Sequence, residues 1–305
     1  GFLSALLMND TLAIIGTPLM LYFSRELKIS AKMLLLTLAF AVTIGSAMSP
    51  IGNPQNLLIA INSGLSNPFL VFLQHLMLPT VANLILAYLL LRLFYSGQFE
   101  KKQLQIQSGQ IIDPNLARLS RLSFILLFAL ILAKMGAVLL GIGEDFPLTY
   151  IALISALPVL LFSSRRAEVV RGIDWCTLIF FAAMFVLMDA VWRSGFFQSL
   201  LAGPHSDLAT VPAILAFSVV MSQLVSNVPL VALFQPMLVH PSTEALMALA
   251  AGSTIAGNLF ILGAASNVII IQNAEKSRET ITFLEFAKVG APLTVLNILV
   301  YWIFL

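Results

Sequence analysis

Apolar runs of about 20 residues, the length a helix needs to cross a bilayer, recur along the whole chain. Segments 1–23, 33–64, 68–94, 122–142, 146–163, 173–198, 208–240, 244–275 and 281–305 carry this pattern. Only helices and closed barrels satisfy their backbone groups in lipid. Charged residues make up 10% of the 305, against roughly 25% in a soluble domain. The expected fold class is an all-α polytopic membrane protein, with the lipid bilayer as its first partner. A net charge of +2 gives no reason to expect nucleic acid.

Several chemistries drop out at this stage. Cys176 is alone, so no intrachain disulfide forms. His75, His205 and His240 are scattered and match no metal-ligand spacing. There is no HExxH motif and no GxSxG elbow, so an enzyme is not expected. No cofactor is expected beyond a sodium ion as candidate coupling ion. The chain opens inside an apolar run, without an initiator Met or a charged n-region. It reads as a chain whose N-terminal helices are missing.

Two segments do not fit a simple spanning helix. Residues 33–64 are interrupted by SPIGNPQN, and 244–275 by GNLFILGAASN. Proline and glycine break the intrahelical hydrogen-bond ladder. Irregular backbone at membrane depth survives only where protein or a polar cavity covers it. Both breaks should therefore face inward. A third anomaly is SALLMNDTLAIIGTP, Ser4 to Pro18, which carries Asn9, Asp10 and Thr11 in its middle. An ionised carboxylate at the bilayer centre costs roughly 3 kcal/mol or more. The stretch reads as a re-entrant hairpin whose NDT tip lies in a polar cavity.

These features occur twice. Residues 4–20 align without gaps on 222–238, so Ser4, Asn9 and Pro18 meet Ser222, Asn227 and Pro236. IGNPQN at 51–56 aligns on LGAASN at 262–267, pairing Gly52 with Gly263 and Asn56 with Asn267. Phe69, Pro79 and Asn83 resemble Phe283, Pro292 and Asn297, allowing a one-residue slip. If the two hairpins enter from opposite faces, all of the 16 Lys and Arg except Lys134 and Arg193 fall on one side. That side is the cytoplasm by the positive-inside bias. The duplication is therefore expected to be inverted. The expected organisation is a first inverted repeat at 1–95, a cytoplasmic linker at 96–121, scaffold helices at 122–200 and a second inverted repeat at 206–305.

Inverted repeats with interrupted helices belong to secondary transporters, whose site lies at the repeat interface. An interrupted helix presents free N–H groups at one end and free carbonyls at the other. The candidate substrate- and ion-binding residues are Asn9, Asp10, Thr11, Ser226 and Asn227 at the tips. At the breaks they are Ser49, Gly52, Asn53, Asn56, Gly263, Ser266 and Asn267. Hard cations prefer such oxygen ligands.

Paired Asn-bearing tips followed by proline, with Gly-Pro-Asn breaks downstream, resemble the ion transporter superfamily. That group includes citrate and divalent-anion transporters, arsenite-pump proteins and some sodium/proton antiporters. The likeness covers nearly all 305 residues. The NDT tip is most similar to the arsenite-pump branch. The second tip, SNVP, departs from the dicarboxylate branch, and Met8 stands where that branch has a serine. The resemblance implies an elevator-type transporter in a prokaryotic-type inner membrane, and a homodimer through the scaffold.

The expected function is secondary transport of a small inorganic oxyanion or oxyacid, arsenite-like, coupled to protons or sodium. A sodium/proton antiporter, a di- or tricarboxylate symporter and a channel stay open as alternatives. Asp10 is the only carboxylate among the motifs, and reads as a proton or cation coupling site or as a half-helix cap. Lys134 and Asp189 are the other intramembrane charges and are a candidate buried ion pair.

Overall fold

The computed structural model describes residues 1–99, 113–141, 147–173, 175–201 and 210–305. Every regular element among them is helical. The linker's centre, Glu144, Asp145, His205 and Asp207 lie outside the described residues, and so does the side chain of Cys176.

The polar residues singled out above are where helices stop and start. A short arm, α1 (Ser4–Leu7), turns at Met8 into α2 (Asn9–Leu27). After Ser30 caps its first turn, α3 (Ala31–Ser46) runs to the first break. Asn53 then caps α4 (Pro54–Asn62), with Pro54 at the first helical position, where a missing N–H costs nothing. The repeat closes with α5 (Pro68–Phe94). A middle group follows: α6 (Pro114–Leu139), α7 (Leu148–Phe162), α8 (Arg166–Arg171), α9 (Trp175–Arg193) and α10 (Phe196–Leu201).

The second half repeats the first. α11 (Val211–Val225) turns at Ser226 into α12 (Asn227–Phe234). α13 (Thr243–Ile255) leads through the second break into α14 (Ala265–Glu275). Then comes α15 (Phe283–Phe304), opened by a capping box between Thr282 and Glu285.

Three described helices, α5, α6 and α15, are long and apolar enough to cross a membrane by length and composition. Their unpartnered faces are apolar, as lipid contact requires: Ile125, Phe128 and Leu132 on α6, and Val295, Leu299 and Trp302 on α15, are exposed.

The chain forms two units. One comprises Gly1–Leu65, Val71–Leu104 and Met184–Leu305, and the other Ser66–Leu70 and Gln105–Ala183. In the smaller unit α6 packs against α7. The larger unit carries both hairpins and both breaks.

Within the larger unit, equivalent helices run antiparallel. Thr80 Oγ1 lies 2.8 Å from Tyr301 OH, and Asn297 Nδ2 donates to Asn83 Oδ1 at 2.9 Å. Further along, Lys288 sits 5.8 Å from the centre of the Phe94 ring. Positions rise along α5 as they fall along α15. That register is what an inverted duplication produces. Packing is reciprocal as well: α2 lies against α14, and α12 against α4. Ala13 and Leu21 of α2 share one buried cluster with Ile270 and Ala274 of α14. At one end of this unit Lys32 pairs with Glu285, and Ser30 N–H donates to Gln98 Oε1 at 3.0 Å. The starts of α3 and α15 and the end of α5 therefore share a face.

Candidate functional site

Both hairpin tips bend at a residue in a backbone region that glycine favours. Met8 has φ 59° and ψ 143°, and Ser226 has φ 72° and ψ 163°. Neither is glycine, so each tip stores backbone strain of order 1–3 kcal/mol. The bend lets a helix start at once: Asn9 and Asn227 are the first residues of α2 and α12, and both are buried. Asn9 Oδ1 accepts from the Asp10 N–H at 2.9 Å. Asp10 stands in the first turn of α2, where a carboxylate complements the helix dipole, and is half-buried. Thr11 and Ser226 are exposed.

The first tip is tied to the first break, because Asn9 N–H donates to Gly52 O at 2.9 Å. Gly52 is required by the break itself: a Cβ there would run into the Ser46 carbonyl. Its counterpart Gly263 is confined in the same way, by Ala256 O at 2.6 Å and Gln223 Oε1 at 2.8 Å from an added Cβ.

The two breaks close with the same device. Asn56 Nδ2 donates to the carbonyls of Ser46, Ala47 and Ser49, at 3.2, 3.2 and 3.1 Å. Asn267 Nδ2 donates to Gly257 O at 2.6 Å. The alignment that pairs Gly52 with Gly263 also pairs Ser46 with Gly257. In each repeat, then, one buried asparagine amide satisfies the orphan carbonyls at the end of the preceding half-helix. The N–H₂ groups of Asn56 and Asn267 are spent on the backbone.

Asn53 is occupied too. Its Oδ1 caps Asn56 N–H at 2.9 Å, and its Nδ2 donates to Ser46 Oγ and Thr254 Oγ1, both at 3.0 Å. Thr254 Oγ1 also lies 3.3 Å from Asn56 Oδ1 as donor. The first break is thereby clasped to the last turn of α13. Ser49 is buried, its carbonyl taken by Asn56 and its hydroxyl accepting from Ile51 N–H at 3.3 Å.

The second repeat is left open on its acceptor side. The side-chain oxygens of Ser222, Gln223, Asn227, Ser266 and Asn267 are buried and have no hydrogen-bond partner. Gln223 Nε2 reaches across to Ala256 O at 2.8 Å, bracing the first arm of the hairpin against the break. Ser222, Gln223 and Thr254 were not among the sequence candidates. Only their helical spacing from Asn227 and Gly257 could have marked them.

Four half-helices, α2, α4, α12 and α14, begin at the tips and breaks, each presenting a positive dipole end there. A chain with interrupted helices, reciprocal antiparallel repeats and buried polar groups gathered at the interruptions is built to carry a polar solute across a membrane.

Residues 1–245 match a family model described as "Citrate transporter". The chain belongs to the citrate transporter family. Among relatives of this family member, an uncharacterized transporter of Mycobacterium tuberculosis is 31% identical over 327 residues, covering 99% of this chain and 73% of the relative. A "46 kDa membrane protein" of Mycobacterium leprae is 29% identical, with the same coverage. A silicon efflux transporter of rice is 26% identical, covering 96% of this chain and 74% of the relative. The protein is thus an integral membrane transporter and not an enzyme.

Asp189 Oδ2 takes Arg193 Nε, one turn along α9, at 2.8 Å, with both side chains more than half exposed. Lys134 is buried in α6.

Proposed function

We propose that this member of the citrate transporter family carries a small, neutral, protonated oxyacid, of the arsenous or silicic acid kind, in exchange or symport with protons. The observation that supports the reading most is the set of buried, unpartnered oxygens in the second repeat: Asn227 Oδ1, Asn267 Oδ1, Gln223 Oε1, Ser222 Oγ and Ser266 Oγ. Amide oxygens accept and do not donate. A ligand that satisfies them must bring O–H groups or positive charge. A citrate trianion brings one hydroxyl donor against six carboxylate oxygens, and Asp10 opposes its charge. An oxyacid brings both: its O–H groups donate to these oxygens while its own oxygens accept from the half-helix N–H groups. The rice relative's named element, silicon, is carried in neutral water as such an acid.

In this reading Asp10 takes and releases the coupling proton, and Thr11, Ser226 and Gly52 line the path at the tips. Alternating access is carried by an elevator-like movement of the unit that bears both hairpins. The linker around 96–121 faces the cytoplasm, and the host membrane is a prokaryotic inner membrane. The same orphan oxygens also suit a desolvated sodium ion, which makes sodium the second candidate for coupling.

Reconstituted protein decides among these. Proteoliposomes loaded with arsenous or silicic acid are expected to release it faster under an imposed pH gradient, with citrate failing to compete. Citrate uptake without oxyacid movement would overturn the reading. Acceleration by a sodium gradient at fixed pH would assign coupling to sodium.

A further inference from the structure

One fully buried polar cluster runs from the α5–α15 seam into the second break. Thr80, Asn83, Asn258, Asn297 and Tyr301 are all 0% exposed. Asn258 Nδ2 donates to Asn297 Oδ1 at 2.9 Å, and Asn297 Nδ2 donates to Asn83 Oδ1 at 2.9 Å. Beside them Thr80 Oγ1 meets Tyr301 OH at 2.8 Å. A polar ladder is a costly way to fill a helix seam, since each buried group left unpaired costs about 1–3 kcal/mol. Here Asn83 Nδ2 and Asn258 Oδ1 have no partner. Packing alone would be served by apolar residues of similar volume.

The ladder's ends show what it holds. One end is the pair Asn83 and Asn297, equivalent residues of the two repeats on antiparallel helices. The other end is Asn258, inside the second break. The residue before it, Gly257, is the one whose carbonyl accepts from Asn267. The main chain of Asn258 meets α15 as well, because a Cβ on Gly290 would collide with its carbonyl. α15 thus grips Asn258 by side chain and backbone together. The first break has no such grip. Under the alignment of Gly52 with Gly263, Ala47 stands where the second break has Asn258, and it has no side chain to extend. That break is tied to its hairpin through Asn9 and Gly52 and to α13 through Asn53 and Thr254, with no bond to the seam among the described residues.

We propose that Asn83 and Asn297 are positioning residues that act through Asn258 to fix the second break, and with it Asn267. Both breaks are braced by their hairpins, the first through Asn9–Gly52 and the second through Gln223–Ala256, and the second is held in addition by the α5–α15 seam. A substitution in the seam loosens one half of the site and leaves the other in place. This goes beyond the transport reading and does not depend on which solute is carried.

Hydrogen–deuterium exchange on the full chain in lipid nanodiscs tests it without any substrate. Asn297→Leu and Asn83→Leu keep the seam filled and remove the ladder. Both are expected to speed exchange of amides in 256–267 at least tenfold, with 46–56 unchanged within twofold. Asn258→Ala, which removes only the far end, is the milder variant and is expected to act the same way. Leu293→Ala, which thins packing on the same helix, is the control; it is expected to lower the melting temperature without singling out 256–267. Equal acceleration in both breaks, or none in 256–267 for any of the three ladder variants, would overturn the proposal.

Discussion

Asn53 Nδ2 donates to Thr254 Oγ1 across 3.0 Å, joining the first break to the opposing half-helix of the other repeat. Both side chains are buried, Asn53 at 1% and Thr254 at 1% exposure. The bond holds the two halves of the site in register. Removing one partner strands the other, which costs more than the bond itself contributes.

Asn53→Ala is expected to destabilise the protein by about 2–3 kcal/mol, since it also uncaps Asn56 N–H. Thr254→Val, which keeps shape and removes the hydroxyl, should cost about 1 kcal/mol. Because the two share a bond, the double variant should cost less than the two singles together by at least about 0.5 kcal/mol. Thermal unfolding in detergent measures all three, and strict additivity would contradict the clasp.

Gly52→Ala is expected to abolish transport and to lower the melting temperature, because the added methyl meets the Ser46 carbonyl. Overpacking against a backbone atom costs about 1–3 kcal/mol or more. Gly136→Ala is the matched control, with nothing near the new Cβ. It should fold and transport normally, and a melting-temperature loss equal to that of Gly52→Ala would contradict the close approach.

Much of this architecture is legible in the sequence, for local reasons. Single prolines such as Pro18, Pro79 and Pro292 stay inside their helices, but the clustered proline and glycine of SPIGNPQN and the glycine and polar run of GNLFILGAASN announce the breaks without tertiary information. Asparagine beside a helix start marks the tips in the same way. What stays hidden depends on register between distant segments. Thr254 follows Ser253 near the end of an apolar helix and Asn258 opens the second break, and nothing local shows which distant side chain each of them meets. Gln223 looks like an ordinary helix residue until its amide is seen on Ala256 O. The Arg193 partner of Asp189 is legible, since it stands four residues on, the ordinary spacing of a helical ion pair. Asn56 and Asn267 are legible as polar groups at the breaks, but sequence shows that an amide is present, and not which bonds consume its N–H₂ group.

Gln223→Leu is expected to weaken the site from the second repeat alone. It frees the Ala256 carbonyl and removes one buried acceptor. The half-saturating concentration for arsenous acid should rise about tenfold with little change in maximal rate, as loss of uniform binding requires. A fall in maximal rate at constant half-saturation would place Gln223 outside solute binding.

Asp10→Asn keeps size and polarity and removes the titratable carboxyl. The variant should fold and stay in the membrane, while flux loses its response to an imposed pH gradient. Proteoliposome flux measured from pH 5.5 to 8.5 checks this. A pH profile identical to that of the parent would remove Asp10 from coupling.

The account rests on two hairpins entering from opposite faces, and sided cysteine labelling reads that most directly. In a Cys176→Ser background, Glu26→Cys reports the base of the first hairpin and Val239→Cys that of the second; both positions are exposed. A membrane-impermeant maleimide applied to intact cells is expected to label Val239→Cys and to reach Glu26→Cys only after the membrane is opened. Labelling of both positions from the same side would contradict the inverted arrangement.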